Sequence, residues 1–291
     1  MPAESLPQLR FSPPSMANVD RLGWEVGLAL RCYGVRIGIR TNDPDVLDRA
    51  CEYLPAERQV ITTGVLDRVY SIKANGNGKR RKTVNVLYGD EVRLMRSTDG
   101  DSVFDAFESD LRLFVAELAT HRVFVHAGVV GWQGQGIVIP GRSYSGKSTL
   151  VAELVRAGAT YYSDEYAVLD SRGRVYPFSK PLELRVEGEY QQRKISVAEL
   201  GGQSGVNPIP VKLVLLTQYK RGSHWRPRKL TPGQGVLEML YNTVSARRSP
   251  GRALATLQKV TTHADVLKGV RGDAAKLVDI VLKRAQRNST S

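Results

Sequence analysis

Eight residues, Gly141-Arg142-Ser143-Tyr144-Ser145-Gly146-Lys147-Ser148, restrict the possible folds of this chain more than any other stretch. They fit G-x-x-x-x-G-K-[ST], the Walker A or P-loop pattern. The glycines let backbone N–H groups face a phosphate chain with no Cβ in the way. Lys147 offers a point charge for the β- and γ-phosphates, and Ser148 a hydroxyl for Mg²⁺. Such a loop works between a strand and the helix it opens, and both are legible. Gly136-Ile137-Val138-Ile139-Pro140 reads as a buried strand. Residues 148–158 are apolar at helical spacing and stop at Gly158. The nucleotide-binding candidates are Gly141, Arg142, Ser143, Tyr144, Ser145, Gly146, Lys147, Ser148 and Thr149.

With 291 residues, of which 42% are hydrophobic, the chain can form one large domain or two ordinary ones around a real core. No apolar run reaches membrane-spanning length and no signal peptide is visible, so no membrane partner is expected. Cys32 and Cys51 are too few for a disulfide framework, and neither sits in a metal-ligand pair. A reducing cytoplasm is the expected compartment. The net charge of +13 is scattered, apart from Lys79-Arg80-Arg81-Lys82 and the basic run from Lys283-Arg284 to Arg287. Gly76 and Gly78 precede the first cluster, which therefore reads as a solvated hairpin tip. No aromatic interleaving accompanies the charge, so no nucleic-acid partner is expected.

In chain order, residues 1–20 read as a flexible tail. Strands are expected at 34–40, 65–72 and 83–88, with a short helix at 45–54 capped by Asn42 or Asp43. Val103, Phe107, Leu111, Phe114, Val115 and Leu118 form the apolar stripe of a helix. A β-hairpin over 122–140 then feeds the loop and its helix. Further strands are expected from Thr160, through 166–169, and at 182–185 and 211–217. Residues 187–207 read as a mobile loop with at most one short helix. Helical patterns dominate from Gly235 onward.

A phosphate loop alone says that a nucleotide binds; transfer also needs a metal partner and a group to take the acceptor's proton. Asp164 and Glu165 follow a strand start, one helix beyond the loop. In such a sheet that position lies near the phosphates, so one carboxylate can hold Mg²⁺ while the other accepts a hydroxyl proton. The flanking Tyr161, Tyr162, Tyr166, Ala167 and Val168 read as half-buried. His126, mid-strand, is compatible with a core residue or a catalytic one.

His126 in Val-His-Ala-Gly-Val-Val, the loop about fifteen residues on, and Ser163-Asp164-Glu165 together resemble the catalytic core of the bacterial HPr serine kinase/phosphorylase family. The resemblance covers about residues 121–220, and it implies a nucleotide-binding core like that of the phosphoenolpyruvate carboxykinases. It implies that Asp164 activates the acceptor serine, that His126 lies beside the reacting phosphate, and that Lys147 is the catalytic phosphate lysine. On the metal side it implies Ser148, Glu165 and Glu183, with Glu165 standing where the family has a second Asp. Glu183 and Arg185 match a later Glu-Ile-Arg-like signature that lacks its following glycine-rich stretch. Arg185 and Arg247 are the implied substrate contacts, with Asn242 beside Arg247. The first 120 residues do not resemble the family's regulatory domain. The implied acceptor is therefore a peptide or protein serine other than on HPr, as in HPr-kinase-related kinases of peptide natural-product clusters.

The expected fold is α/β: a P-loop-containing mixed sheet flanked by helices. Its parts are a tail (1–20), an N-terminal α/β region (21–120), a kinase core (121–245) and C-terminal helices (246–291). The expected activity is Mg²⁺-dependent transfer of the γ-phosphoryl of ATP to serine, with phosphorolysis as the family's reverse activity and a homo-oligomer implied by resemblance. From a different class comes a nucleotide-gated binding module that performs no transfer.

Overall fold

The computed structural model describes residues 16–62, 64–74, 84–142, 145–178, 180–185 and 192–287. The chain divides into two compact units, 1–115 and 116–291. Most of the expected tail, and the basic cluster 79–82, lie outside the described residues.

The first unit contains α1 (Met16–Asp20), β1 (Val26–Cys32), β2 (Val35–Thr41), α2 (Pro44–Glu52), β3 (Arg58–Val60), β4 (Arg68–Lys73), β5 (Asn85–Gly89) and β6 (Val92–Ser97). Helix α3 (Gly100–Leu118) runs across the boundary. The strands form one sheet in the order β3-β1-β2-β4-β5-β6. Tyr33 and Gly34, both with positive φ, make the tight turn that sets the β1–β2 register. Leu30, Ile37, Ile39, Tyr70, Ile72 and Leu87 are buried, as are Val103, Phe104, Phe107 and Leu111 of α3. Burial of each large apolar side chain contributes about 1.5–3 kcal/mol. Tyr70 meets Phe107 edge-on at 5.2 Å and donates its hydroxyl to Asp110 at 2.7 Å. Asp43 caps α2, as its sequence suggests, by accepting from the Asp45 N–H.

The second unit contains β7 (Val123–Trp132), β8 (Gln135–Pro140), α4 (Lys147–Arg156), β9 (Thr160–Ser163), β10 (Tyr166–Leu169), β11 (Arg174–Tyr176), β12 (Leu182–Arg185), β13 (Gln192–Ile195) and β14 (Ile209–Tyr219). It continues with β15 (Arg228–Lys229), α5 (Pro232–Leu240), α6 (Pro250–His263), β16 (Asp265–Arg271) and α7 (Ala275–Arg287). The main sheet runs β11-β10-β7-β8-β14-β16-β15, with β9 paired to β7. It is mixed: β7 and β8 form the expected antiparallel hairpin, whereas β14 lies parallel to both β8 and β16.

The apolar runs of β8 and β14 follow from having helices on both faces. Ile137, Ile139, Leu213 and Leu215 point into one core with Leu150, Val151 and Leu154 of α4 and Leu277 and Val281 of α7. Val138, Val214 and Leu216 point into the other, with Met239 of α5 and Leu257 and Val260 of α6.

Two expectations need correction. The region after Gly235 is not purely helical, because β16 joins the main sheet between α6 and α7. Residues 187–207 are not one open loop. Strand β13 pairs with β12, and a 3-10 turn follows at Ala198–Leu200. Leu200 is buried, and a Cβ at Gly202 would stand 2.3 Å from Val155 of α4, so this segment packs closely on that helix.

Candidate active site

The glycine-rich loop joins β8 to α4, as its sequence requires. Ser143 and Tyr144 lie outside the described residues. Its first glycine is tied to β7, since the Gly141 N–H donates to the His126 carbonyl at 3.2 Å. A Cβ on Gly141 would stand 2.8 Å from Ser145 Oγ. Gly146 takes φ +86 at the N-cap of α4 and supplies no side-chain cap. The helix therefore begins with unclaimed N–H donors and its positive dipole end, the standard makings of an anion site. Lys147 is only 6% exposed, and its Nζ donates to the Arg142 carbonyl at 2.9 Å. Arg142 and Thr149 are exposed and Ser148 is half-buried.

The acidic pair sits where β7 changes partners. Strands β9 and β10 lie along the same flank of β7, and β7 carries a register shift at Val129/Val130. Ser163 and Tyr166, either side of the pair, are buried, and Ser163 Oγ accepts the N–H groups of Glu165 and Tyr166 at 3.1 Å each. The aromatic residues expected to be half-buried here are in fact buried, because both flanking strands are interior.

Asp164 is 8% exposed, and its Oδ1 is buried with no hydrogen-bond partner. Burial pushes its carboxyl up to about 6, against the opposing pull of the Ser148 hydroxyl, Lys147 and Lys180. A Cβ at Gly128 of β7 would fall 3.8 Å from Asp164 Oδ1 and 3.9 Å from Lys147 Cβ. It would also lie 2.5 Å from Val151 Cγ2. The glycine lets α4 lie close against β7, and that closeness brings carboxylate and lysine together.

Lys180 had no signal in the sequence beyond being one lysine among many. Its Nζ lies 3.7 Å from Glu165 Oε2 and 3.4 Å from Glu183 Oε1. Its charge reaches both Asp164 and His126. Thus Glu165 and Glu183 pair with a common cation. Arg185 ends β12, and its side chain lies outside the described residues. Arg247 is exposed after the 3-10 turn Val244–Ala246, with no ion pair among the described residues. The neighbouring segment does reach the site, through its backbone: the His126 N–H donates to the Asn242 carbonyl at 2.7 Å, and Thr243 bridges to Val125.

Burial, then the charges of Lys147 and Lys180, push the His126 imidazole down to about 4. It is therefore neutral at pH 7. Its folded value lies below its ordinary 6.5, so its contribution to stability is present above pH 6.5 and is lost as the pH falls toward 4. Asp164 runs the other way: its contribution is present below 3.8 and is lost as the pH rises through about 6. An NMR titration of the His126 ring is expected to show a midpoint near 4, rising in Lys147→Met. A midpoint above 6 in the parent would contradict this placement of the imidazole.

Among the described residues, no three His, Cys, Asp or Glu side chains converge on a metal position. Mg²⁺ keeps several waters and takes one or two protein oxygens beside substrate phosphates. The Ser148 hydroxyl and the buried, partly unsatisfied carboxylate of Asp164 are hard oxygen donors of that kind.

Fold and site together define a mixed α/β protein with an anion-ready helix N-terminus facing a buried carboxylate. No family model matches the chain. An HPr kinase/phosphorylase from Mycoplasma mycoides subsp. mycoides is 32% identical over 141 residues, covering 43% of each protein. Over that stretch the chain is similar to an HPr kinase/phosphorylase, and it spans less than half the length of this relative. The solved HPr(Ser) kinase/phosphatase from Coxiella burnetii aligns with 57% of this chain and 97% of its own. It does so at 14% identity and a TM-score of 0.30, a likeness too low to define the fold. Among the described residues, no helix is long and apolar enough to cross a membrane.

Proposed function

We propose that the chain is a Mg²⁺-dependent kinase that moves the γ-phosphoryl of ATP to a serine hydroxyl on a peptide or protein. The observation that carries this reading is the buried Asp164 carboxylate, whose charged form is favoured by the Ser148 hydroxyl and by Lys147 at the start of α4. A carboxyl poised near 6 is mostly ionised at pH 7 yet still basic enough to take a proton.

In this reading residues 141–149 are a P-loop within a phosphoenolpyruvate carboxykinase-like core over 121–245. Lys147 and the first amides of α4 bind the phosphates. Asp164 orients the serine hydroxyl and accepts its proton as the oxygen attacks the γ-phosphorus. The bond to the β-phosphate oxygen breaks, and ADP leaves. Lys147 and the loop amides stabilise the charge that spreads over the transferring group, the main task in this reaction class. When bound, Mg²⁺ would neutralise part of the charge on the phosphates. Ser148 would hold it, and Glu165 and Glu183 would reach it only by giving up Lys180. His126, neutral, contributes a hydrogen bond rather than a charge. Arg185 and Arg247 contact the acceptor, which is a peptide or protein other than HPr. Residues 21–120 are an N-terminal α/β region and 246–291 the C-terminal part, in a cytoplasmic homo-oligomer.

The test is incubation with γ-labelled ATP, Mg²⁺ and serine-bearing peptides or a cytoplasmic extract. Acid-stable labelled phosphoserine is the expected product. Tight Mg·ATP binding with no labelled acceptor would replace this reading with a nucleotide-gated module.

A further inference from the structure

Arg271 ends β16 and is 2% exposed. Its Nη2 donates to the Gly146 carbonyl at 2.6 Å and its Nη1 to the Gly272 carbonyl at 2.9 Å. Its Nε is buried without an acceptor, and the Tyr219 ring lies 5.6 Å from the guanidinium. Among the described residues it has no ion pair; Asp273 acts on it only from beyond pairing distance. A buried cation with no carboxylate beside it is costly, and a methionine would fill similar space without that cost. The position therefore needs the donors.

What they hold is a peptide plane of the glycine-rich loop. In a trans peptide the carbonyl and the following N–H point in opposite directions. Fixing the Gly146 carbonyl thus fixes the direction of the Lys147 N–H. The preceding plane is held similarly: the Tyr219 N–H donates to the Ser145 carbonyl at 3.4 Å, which fixes the Gly146 N–H. Tyr219 and Arg271 are register partners in the parallel pair β14–β16, and the Lys220 N–H closes on the Arg271 carbonyl at 2.8 Å. Two neighbouring strand ends grip two successive loop carbonyls. Successive N–H groups aimed to one side form an anion-binding concavity.

We infer that Arg271 is the positioning residue of the phosphate loop, turning the Gly146 carbonyl away from the nucleotide so that the Lys147 N–H faces the phosphates. This rests on the phosphate-loop reading above. Its test is equilibrium binding of a fluorescent ATP derivative with Mg²⁺ to the full chain, the parent beside Arg271→Met and Arg271→Lys. Binding is measured at a temperature where circular dichroism shows each protein fully folded. Arg271→Met is expected to bind about 10- to 100-fold more weakly, as expected for losing a charge-assisted hydrogen bond. Arg271→Lys, which keeps the charge but carries its donors on one nitrogen and so cannot fork to both carbonyls in the same geometry, falls between the two. In the transfer assay the KM for ATP carries most of the loss and kcat little of it. An Arg271→Met protein that melts earlier but binds as tightly as the parent overturns the inference and leaves Arg271 a structural residue. If Arg271→Met does not fold, Arg271→Lys decides: weakening of about threefold or more supports the inference, and parent-like affinity overturns it. A parent that binds no Mg·ATP overturns the phosphate-loop reading and this inference with it.

Discussion

Asp164→Asn is expected to bind Mg·ATP within a few-fold of the parent and to transfer phosphoryl about 10³-fold more slowly, in line with the loss of a positioned general base. The amide is nearly isosteric and keeps an acceptor oxygen, so the loop and α4 keep their geometry. What disappears is the capacity to take a proton. The pH profile gives a second readout. With the carboxyl at about 6, kcat/KM of the parent should fall tenfold per unit on the acid side of that value. The residual activity of Asp164→Asn should lack this limb. A variant that transfers at a parent-like rate would remove Asp164 from the chemistry and leave it as a metal-side or structural carboxylate.

Lys147→Met is expected to lose both binding and transfer. Mutations that remove one preorganised charge or donor from a transition state typically cost about 3 kcal/mol, or a hundredfold to a thousandfold in rate. Here the lysine is 6% exposed, so water screens its charge little. Its removal also acts on Asp164, whose carboxyl it now pulls down. The acid limb of any residual activity should therefore move to higher pH. Lys147→Met with parent-like nucleotide affinity and a parent-like rate would contradict the phosphate-lysine assignment. The joint loss of affinity and rate distinguishes it from Asp164→Asn, which loses rate alone.

The sequence made the centre of the second unit legible because its signals there are local. The β7–β8 hairpin, the glycine-rich turn and the α4 pattern are contiguous, and Asp164 and Glu165 follow a single helix later. What escaped is held by distant partners. Strand β16, Asp-Val-Leu-Lys-Gly-Val-Arg, is short, interrupted by Lys268 and Gly269, and sits between two helical patterns. Its identity comes from the parallel ladder to β14, which no local periodicity encodes. Strands β1 and β6 were missed in the first unit, where neighbouring strands stabilise mixed, half-exposed patterns. In the site, Lys180 and Arg271 carry no motif. Lys180 matters because β12 and the β9–β10 turn bring Glu183 and Glu165 to it. Arg271 matters because a strand end meets a loop.

Gly146 and Arg271 are separated by 125 residues in sequence. The β14–β8 and β14–β16 parallel ladders add to this burden of distant pairings, which form late and slowly because long chain segments must first be closed. On the ribosome, the glycine-rich loop emerges well before the strand that grips it. Through that interval the nascent chain carries the glycine-rich motif without the strand that grips it. In the proposed kinase reading, capture of nucleotide would report that the sheet is complete and by mass action would favour the completed sheet over its open precursors.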